Sequence, residues 1–166
     1  YKRQIFTNIA GVSRPFLARL SLAGLIDSSF LADQGPRGPV YSVSLQADGK
    51  ILIGGGFTNV GGVARAYVAR LNTDGSVDTS FDSGVGPNGA VYSVGVHSNG
   101  RVTIGGAFTA VDGVSRNRYA RLRPNGTLDT AFSPGAGANA NVLAVAVQPD
   151  TAVVIGGEFT LVDGVV

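Results

Sequence analysis

Apolar and polar positions recur along this chain with one long period. The stretch Ile51–Phe81 returns with few changes as Val102–Phe132, its second half also occurs at 11–30, and its first half at 153–165. Two series of phenylalanines keep a spacing of 51 residues: Phe6, Phe57, Phe108 and Phe159, and Phe30, Phe81 and Phe132. A repeat of this length indicates a solenoid, a propeller or another stacked array.

Within one repeat, the alternation of apolar and polar residues predicts four strands separated by turn signals. The strands are expected near 40–46, 50–55, 66–72 and 76–81, and again 51 residues later. In the first strand, Tyr41, Val43 and Leu45 share one face, and small residues occupy the other. No segment combines helical periodicity with capping residues, so we expect no helix longer than one turn.

The turn between the third and fourth strands fixes the register of both. It reads Asn72-Thr73-Asp74-Gly75, and its counterpart places Pro124 at the first central position, which favours a type I turn followed by a left-handed glycine. Gly75 and Gly126 are therefore expected to have positive φ. The same register predicts three structural pairs across the hairpins: Arg19 with Asp27, Arg70 with Asp78, and Arg121 with Asp129.

One turn departs from this chemistry. Thr151 occupies the position that Gly49 and Gly100 hold in the other repeats, at the turn between the first and second strands. A β-branched residue in a left-handed conformation is strained by roughly 1–2 kcal/mol, so we expect either strain or a rebuilt turn there.

Four antiparallel strands per repeat are typical of the blade of a β-propeller. The predicted fold is therefore all-β, a propeller of four-stranded blades with a 51-residue repeat, incomplete at about three blades. Residues 1–166 form a single array that we interpret as a segment of a longer propeller. Its parts are a partial blade at 1–30, blades at 40–81 and 91–132, and a partial blade at 142–166.

Both partial blades leave an edge that needs a partner. The first contains Arg3–Phe6 as a piece of second strand, and the last contains Val142–Gln148 and Ala152–Phe159 as first and second strands. The expected partners are neighbouring repeats of a longer chain, or copies joined head to tail into a closed ring or an open filament. We favour the longer chain, because Arg3–Phe6 would compete with Ala152–Phe159 for one place.

The composition argues against several classes of partner and site. The net charge is +2 and the arginines recur at fixed repeat positions instead of clustering, which argues against nucleic acid as a partner. No apolar run is long enough to span a bilayer. The absence of cysteine excludes disulfides and thiolate metal sites.

Several features of the sequence are candidates for a functional site. The loop 72–78 is similar to oxygen-rich calcium loops, but a hairpin turn is favoured because other repeats replace Asp74 by Ala23 and Asn125. The recurrent arginines Arg14, Arg65 and Arg116 could line an anion-binding ring, although arginines of this kind more often pack their stems and hold carbonyls.

The remaining candidates also favour structural roles. His97 is the only histidine, which excludes a His-rich metal centre, and we expect it to be a solvated residue at a strand end. The glycine run at 54–56 lacks the following helix that a phosphate site requires. Tyr41, Tyr67, Tyr92 and Tyr119 could form a sugar-stacking surface, but Tyr41 and Tyr92 lie on an apolar face, which favours core packing. We therefore predict no catalytic, cofactor-binding or metal-binding residue.

The repeat itself resembles a known family. The pattern D-G-K-I-L-I-G-G-x-F-T-x-V-x-G-V-x-R, followed by A-R-L-N-x-D-G-S-V-D-T-S-F, is similar to the bacterial delta-60 repeat, also described as a β-propeller domain of unknown function. The resemblance covers the whole chain. It implies a propeller in large secreted or surface-associated bacterial proteins, and it provides no catalytic residue.

The expected function is a non-catalytic structural or interaction module of a secreted or cell-surface bacterial protein, with no cofactor and an extracellular or cell-surface location. The alternative is a ligand-binding or enzymatic propeller with a site in the central channel or on one loop face. Propeller enzymes usually break repeat symmetry at their site. The departures here are mild, which favours the first interpretation: His97, Asn117, Thr151 and Glu158.

Overall fold

The computed structural model of the protein describes residues 8–9, 11–14, 16–31 and 35–166. Within these ranges all regular structure is β, and no helix is present, so the all-β prediction is confirmed. The strands are β1 Asn8–Ile9, β2 Val12–Ser13, β3 Val40–Leu45, β4 Ile51–Gly55, β5 Asn59–Val60, β6 Val63–Ala64, β7 Val68–Leu71, β8 Val91–Val96, β9 Val102–Gly106, β10 Ala110–Val111, β11 Val114–Ser115, β12 Tyr119–Leu122, β13 Val142–Val147 and β14 Val153–Gly157.

The longer strands form three antiparallel sheets, one in each of the second, third and last repeats. Two sheets have three strands, in the orders β3-β4-β7 and β8-β9-β12, and the last consists of β13 and β14. A register shift lies at the same place in all three, beside the paired glycines that end β4, β9 and β14. The glycine pairs thus mark an irregularity in the ladder, as glycine inside a strand often does.

The prediction of a fourth strand at 76–81 is wrong. The structure has no strand there, and the backbone pairing of this segment with β7 is a single bridge between Leu71 and Val77. The Asp78 side chain ends the pairing, because its Oδ1 accepts a hydrogen bond from the Ser80 N–H at 3.0 Å and turns the chain. Local side-chain bonding of this kind competes with a strand ladder.

Three short hairpins were not predicted. They are β1–β2, β5–β6 and β10–β11, each of two-residue strands, and the second and third of them lie between the second and third strands of their repeats. Strands this short carry no usable alternation. The following strand also begins later than expected, because Tyr67 and Arg118 adopt positive φ of 64° and 71° just before β7 and β12.

The core lies between neighbouring sheets. One cluster surrounds Phe108 and joins Leu52 and Phe81 of the second repeat to the sheet β8-β9-β12. Another surrounds Phe57 and includes Leu17 and Phe30 from the first repeat. Since Phe57, Phe81 and Phe108 are fully buried, the phenylalanine series read from the sequence mark the apolar layers between sheets.

The first strands of the three sheets lie side by side, β3 next to β8 and β8 next to β13. Serine hydroxyls connect them: Ser44 donates to the Val94 carbonyl at 2.7 Å, and Ser42 accepts from the Val94 N–H at 3.1 Å. Ser93 accepts from the Val145 N–H at 2.9 Å. The small residues of the first strand therefore bond across to the next sheet.

The turn at Thr151 is kept and not rebuilt. Thr151 has φ of 72° and donates its N–H to Gln148, as Gly49 and Gly100 do in their own turns at φ of 81° and 79°. We expect Thr151→Gly to stabilise the protein by about 1 kcal/mol, because it removes left-handed strain. Gly100→Thr, the reverse change at the matched turn, should destabilise the protein by a similar free energy. Urea unfolding measures both effects, and equal midpoints for the two variants and the wild type would contradict this account.

The predicted piece of second strand at Arg3–Phe6 lies outside the described residues. In the part of the chain that is described, no helix has the length and apolar character needed to cross a membrane.

Candidate functional site

The predicted Arg–Asp pairs form a clamp at the hairpin of each of the first three repeats. In the second repeat, the Asp78 carboxylate accepts hydrogen bonds from Arg70 Nε at 2.8 Å, Lys50 Nζ at 2.8 Å and the Ser80 hydroxyl at 2.6 Å. The Arg70 and Asp78 side chains are only 9% and 7% exposed. The carboxylate thus has two cationic partners within a nearly dry environment.

The same arginine reaches the next repeat. Arg70 donates through Nη1 to the Pro124 carbonyl at 2.7 Å, and Arg19 donates to the Thr73 carbonyl in the equivalent way. The Arg70 guanidinium also lies over the Phe81 ring, 4.9 Å from its centroid. The first two clamps therefore join the hairpin of one repeat to the turn of the following repeat.

The pKa values of the clamp carboxylates reflect these contacts. Burial alone would raise the pKa of Asp78, but the hydrogen bonds from Lys50, Ser80 and Arg70 outweigh it and hold that pKa well below its usual range. Asp129 shows the same balance, with Arg121 and Arg101 lowering its pKa against burial. Both groups stay ionised at neutral pH and keep their cations bound.

The three clamps differ in how much solvent reaches them. In the third repeat, Arg121 Nε lies 2.9 Å and Arg101 Nε 3.2 Å from Asp129, whose side chain is 3% exposed. In the first repeat, the Asp27 side chain is more exposed, at 29%. Hydrogen bonds from Ser29, the larger effect, and from Arg19 lower the pKa of Asp27 to about 2. Burial of the clamp therefore increases where repeats flank it.

The turn glycines let consecutive repeats approach closely. Gly75 and Gly126 have φ of 90° and 92°. A Cβ on Gly126 would lie 2.6 Å from the backbone nitrogen of Asp82, which itself donates to the Asn125 carbonyl at 2.8 Å. These positions need glycine both for conformation and for space.

A second set of glycines receives valines from the following repeat. A Cβ on Gly54 would meet methyl carbons of Val91 and Val94 at 2.7 and 2.8 Å, and one on Gly105 would meet Val142 and Val145 at 2.6 and 2.8 Å. We call the side of a repeat that faces the next repeat, with its glycine and clamp arginine, the trailing side. The leading side is the opposite one, with its two valines and its hairpin turn.

The calcium-like loop is a hairpin turn in the structure. Asp74 Oδ1 accepts from the Ser76 N–H at 2.9 Å and from its hydroxyl at 2.7 Å, which lowers the pKa of this carboxyl. Within the described residues, no group of three or more His, Cys, Asp or Glu side chains is positioned to hold a metal ion. The loop's oxygens stabilise the turn itself.

The recurrent arginines remain on their own repeats. Arg65 and Arg116 each donate through Nη1 to the carbonyl of the preceding residue at 2.8 Å, and Arg14 does so at 3.0 Å. Arg65 also lies 3.6 Å from Asp82. Each guanidinium thus has a backbone acceptor in its own repeat for a terminal nitrogen, while its Nε is buried with no hydrogen-bond partner among the described residues.

The prediction that His97 is a solvated residue at a strand end is wrong, because its side chain is buried. It is only 2% exposed, and its Nε2 lies 2.8 Å from the Thr103 hydroxyl. Burial lowers the pKa of His97, and the nearby positive charges of Arg121 and Arg101 lower it further. The imidazole is therefore neutral in the folded protein at neutral pH.

Buried neutral histidine makes stability depend on pH. Because the folded pKa of His97 lies below its usual 6.5, the unfolded chain binds more protons, and stability should fall as pH drops below about 6.5. We expect His97→Gln, which copies Gln46 and Gln148, to flatten this dependence between about pH 7 and pH 5. Urea titrations of both proteins across that range check it. Parallel slopes would show that His97 is not the group responsible.

Tyr41 and Tyr92 contact each other on neighbouring first strands. Their ring centroids are 5.6 Å apart and the planes are tilted by 52°. Both residues are half-buried. Aromatic pairs in this geometry stabilise packing between elements.

Two surface clefts have volumes in the range of small-molecule sites. One of about 410 Å³ is lined by Asn117, Arg118, Asn139 and small or apolar residues, with no carboxylate. The other, of about 420 Å³, lies between two first-to-second-strand turns and includes His97 and Asp48. Neither cleft brings two carboxylates together, so neither has the pair that acid–base hydrolysis would use.

Comparison with known proteins gives the family. No curated protein matches the chain. A family model described as a domain of unknown function (DUF5122) β-propeller matches residues 5–30, 46–81 and 97–132. Since these segments cover more than half of the chain, the protein belongs to the DUF5122 β-propeller family, which confirms the resemblance to the delta-60 repeat.

Proposed function

We propose that this chain is a non-catalytic structural or interaction module of a secreted or cell-surface bacterial protein. Its unit is a four-stranded propeller blade of 51 residues, whose fourth strand is reduced to a single bridge after the hairpin turn. The partners of the module are further repeats, in a longer chain or in head-to-tail copies. The location comes from the family resemblance.

One observation carries this proposal: the arginines of the first two clamps, Arg19 and Arg70, each donate to a carbonyl of the following repeat. Arg70 donates through Nε to Asp78 within its own hairpin, and it donates through Nη1 to the Pro124 carbonyl of the next repeat. The pKa of Asp78 is lowered, whereas a general acid at neutral pH would need a raised one. The site is thus built for rigid stacking of repeats.

The role can be tested by ligand-induced stabilisation, since any ligand that binds only the folded state raises the melting temperature. We expect no shift with divalent cations, nucleotides, sugars or short peptides. The control is the His97→Gln variant, which alters the cleft that contains His97. A reproducible shift that this variant removes would support the ligand-binding alternative.

The proposed location needs a separate experiment on cells that produce the full protein with an epitope tag. Protease added outside intact cells should remove the tag signal, while a cytoplasmic marker stays intact. A tag that is protected until the cells are lysed would contradict a cell-surface location.

A further inference from the structure

Three asparagines of this chain are followed by glycine: Asn88, Asn99 and Asn125. An asparagine in this context loses its side-chain amide without an enzyme, because the backbone nitrogen of the glycine attacks the asparagine Cγ and glycine has no Cβ to hinder the approach. All three asparagines are exposed to solvent. Access to water therefore does not distinguish them, whereas their hydrogen bonds do.

Two groups of the asparagine must move for this attack. The side-chain amide must turn towards the nitrogen of the glycine, and rotation about the Cα–C bond swings the asparagine carbonyl. A hydrogen bond to either group holds the asparagine in its native conformation. A site that is bonded at both groups must first open locally, and its reaction rate falls with the population of the open state.

Asn88 is held by its side-chain amide. Its Nδ2 donates to the Thr109 hydroxyl at 3.0 Å, and its Oδ1 accepts from the Thr109 N–H at 2.8 Å and the Ala110 N–H at 3.0 Å. A Cβ built on the following Gly89 would lie 3.1 Å from the Ala107 carbonyl oxygen, so this glycine is also tightly packed. Attack at Asn88 would break all three hydrogen bonds.

Asn125 is held at both groups. Its Oδ1 accepts from the Thr127 N–H at 3.2 Å and from the Thr127 hydroxyl at 2.8 Å. Its backbone carbonyl accepts from the Asp82 N–H of the preceding repeat at 2.8 Å. The following Gly126 is also buried against Asp82. Stacking of the repeats therefore restrains the turn around Asn125.

Asn99 is restrained far less. Its Oδ1 accepts one hydrogen bond, from the Arg101 N–H at 3.1 Å. Among the residues that the structure describes, its Nδ2 donates no hydrogen bond and its backbone carbonyl accepts none. A Cβ on the following Gly100 would have ordinary contacts at 3.5 Å, all with Pro124. No contact from another repeat holds this asparagine in place.

One restraint is common to the turns of Asn99 and Asn125. The attacking nitrogens, those of Gly100 and Gly126, each donate to the carbonyl three residues earlier at 2.9 Å. This hydrogen bond slows both reactions alike, so the difference between the two sites comes from the asparagines. Asn99 is therefore the asparagine with the lowest barrier to attack in the folded protein.

We propose that Asn99 is a site of spontaneous deamidation in the folded protein and that its aspartyl product keeps the turn. The Gly100 nitrogen gives its proton to solvent and bonds to the Asn99 Cγ, while the Cγ–Nδ2 bond breaks and ammonia leaves with a proton from water. Water then opens the cyclic imide. Attack of water at Cγ gives aspartate, and attack at the main-chain carbonyl gives isoaspartate, which has one extra carbon in the backbone. The net reaction consumes one water and releases one ammonia.

The other repeats show that this turn accommodates a carboxylate. The counterparts of Asn99 are Asp48 and Asp150, whose Oδ1 atoms accept from the backbone N–H two residues ahead at 3.1 and 3.0 Å. Asn99 makes the same bond at 3.1 Å. This bond uses the oxygen that asparagine and aspartate share, so the aspartyl product keeps it. The isoaspartyl product lengthens the backbone between the bonded groups and disturbs the turn.

The modification also changes the charge of a cleft. Asn99 and Asp48 lie on the two turns that border the cleft of about 420 Å³, and Asp48 is the carboxylate among its lining residues. Deamidation of Asn99 adds a second carboxylate, contributed by the neighbouring repeat. The charge of this shared surface therefore becomes more negative as the protein ages, with no enzyme involved.

Incubation of the folded 166-residue chain in heavy-oxygen water tests the assignment. Each hydrolysed imide incorporates one heavy oxygen, and fragmentation of tryptic peptides identifies the residue that carries it. We expect Asn99 to react first. Asn88 and Asn125, the controls within the same molecule, should be at least about tenfold slower, which corresponds to roughly 1.4 kcal/mol of additional opening free energy.

The same incubation in urea separates the effect of the fold from that of the sequence. In the unfolded chain, all three asparagines have the same glycine neighbour and no native hydrogen bonds, so we expect similar rates. A folded chain in which Asn99 reacts no faster than Asn88 and Asn125 overturns the proposal. So does a folded chain in which Asn99 keeps its amide while the unfolded chain loses it at all three positions.

Two variants test the site and its product. Asn99→Gln should lose the label at this position alone, because glutamine closes a larger ring more slowly, and a label that persists there shows that another residue carries it. Asn99→Asp should keep the urea midpoint of the wild type, because Asp48 and Asp150 make the same bond in their turns. A clearly lower midpoint overturns the claim that the aspartyl product keeps the turn. None of these results bears on the non-catalytic role, which the ligand screen judges separately.

Discussion

Replacing Asp78 with alanine is expected to destabilise the protein by about 3–5 kcal/mol, the usual cost of removing one partner from a buried ion pair. Arg70 and Lys50 share this carboxylate at 2.8 Å, and the variant would leave both without it. The Arg70 side chain is 9% exposed, so water cannot replace the lost acceptor at low cost. This loss is a large part of the stability of an ordinary domain.

The first repeat provides the matched control for this variant. Asp27 pairs with Arg19 through the same hairpin geometry, at 2.8–2.9 Å, but the two side chains are 29% and 39% exposed. Because solvent screens an exposed pair, Asp27→Ala should cost much less than Asp78→Ala. Urea unfolding of both variants measures the difference. Equal losses would show that burial does not set the strength of the clamp.

The clamp also shows how far the sequence specifies this fold. The turn residues around Gly75 and Gly126 determine which side chains meet across each hairpin, and the structure pairs Asn72 with Ser76 through a 2.8 Å hydrogen bond. Such information is local, within a few residues of the turn. It can be read from one repeat without knowing how repeats stack.

Contacts between repeats could not be read in this way. Nothing within the hairpin indicates that Arg70 donates to the carbonyl of Pro124, which lies 54 positions later. Stacking of the repeats determines that contact. His97 was mispredicted for another reason: its partner Thr103, and the arginines Arg101 and Arg121 that add to the effect of burial on its pKa, lie on or beside other strands of the same sheet, several positions away in the sequence.

The misplaced fourth strand has a different cause. The alternation from Ser76 to Phe81 predicts a strand, but the Asp78 carboxylate bonds the backbone two residues ahead and turns the chain. A single polar side chain thus overrides the apolar pattern of the segment. Aspartate is depleted in strands for this reason, and its presence at 78 and 129 was the signal that the strand would be short.

Gly105→Ala tests the stacking of repeats directly, and we expect it to destabilise the protein by about 1–3 kcal/mol, the usual range for overpacking. The added carbon would lie 2.6 Å from a methyl carbon of Val142 and 2.8 Å from one of Val145. Both valines are branched at Cβ and have restricted rotamers, so they cannot move aside without shifting the next sheet. The φ of Gly105 is outside the left-handed region, so the cost comes from crowding alone.

Gly156→Ala is the matched control, because Gly156 holds the same position in the last repeat and has only the Ala144 Cβ at 3.9 Å. In the monomeric chain, this change should be neutral, or stabilising by about 0.4–1 kcal/mol through the lower entropy of the unfolded state. Urea unfolding at concentrations where the chain is monomeric compares the two variants. If both lose the same free energy, the glycines serve the bend of their own strand, and the valines of the following repeat are not the reason for them.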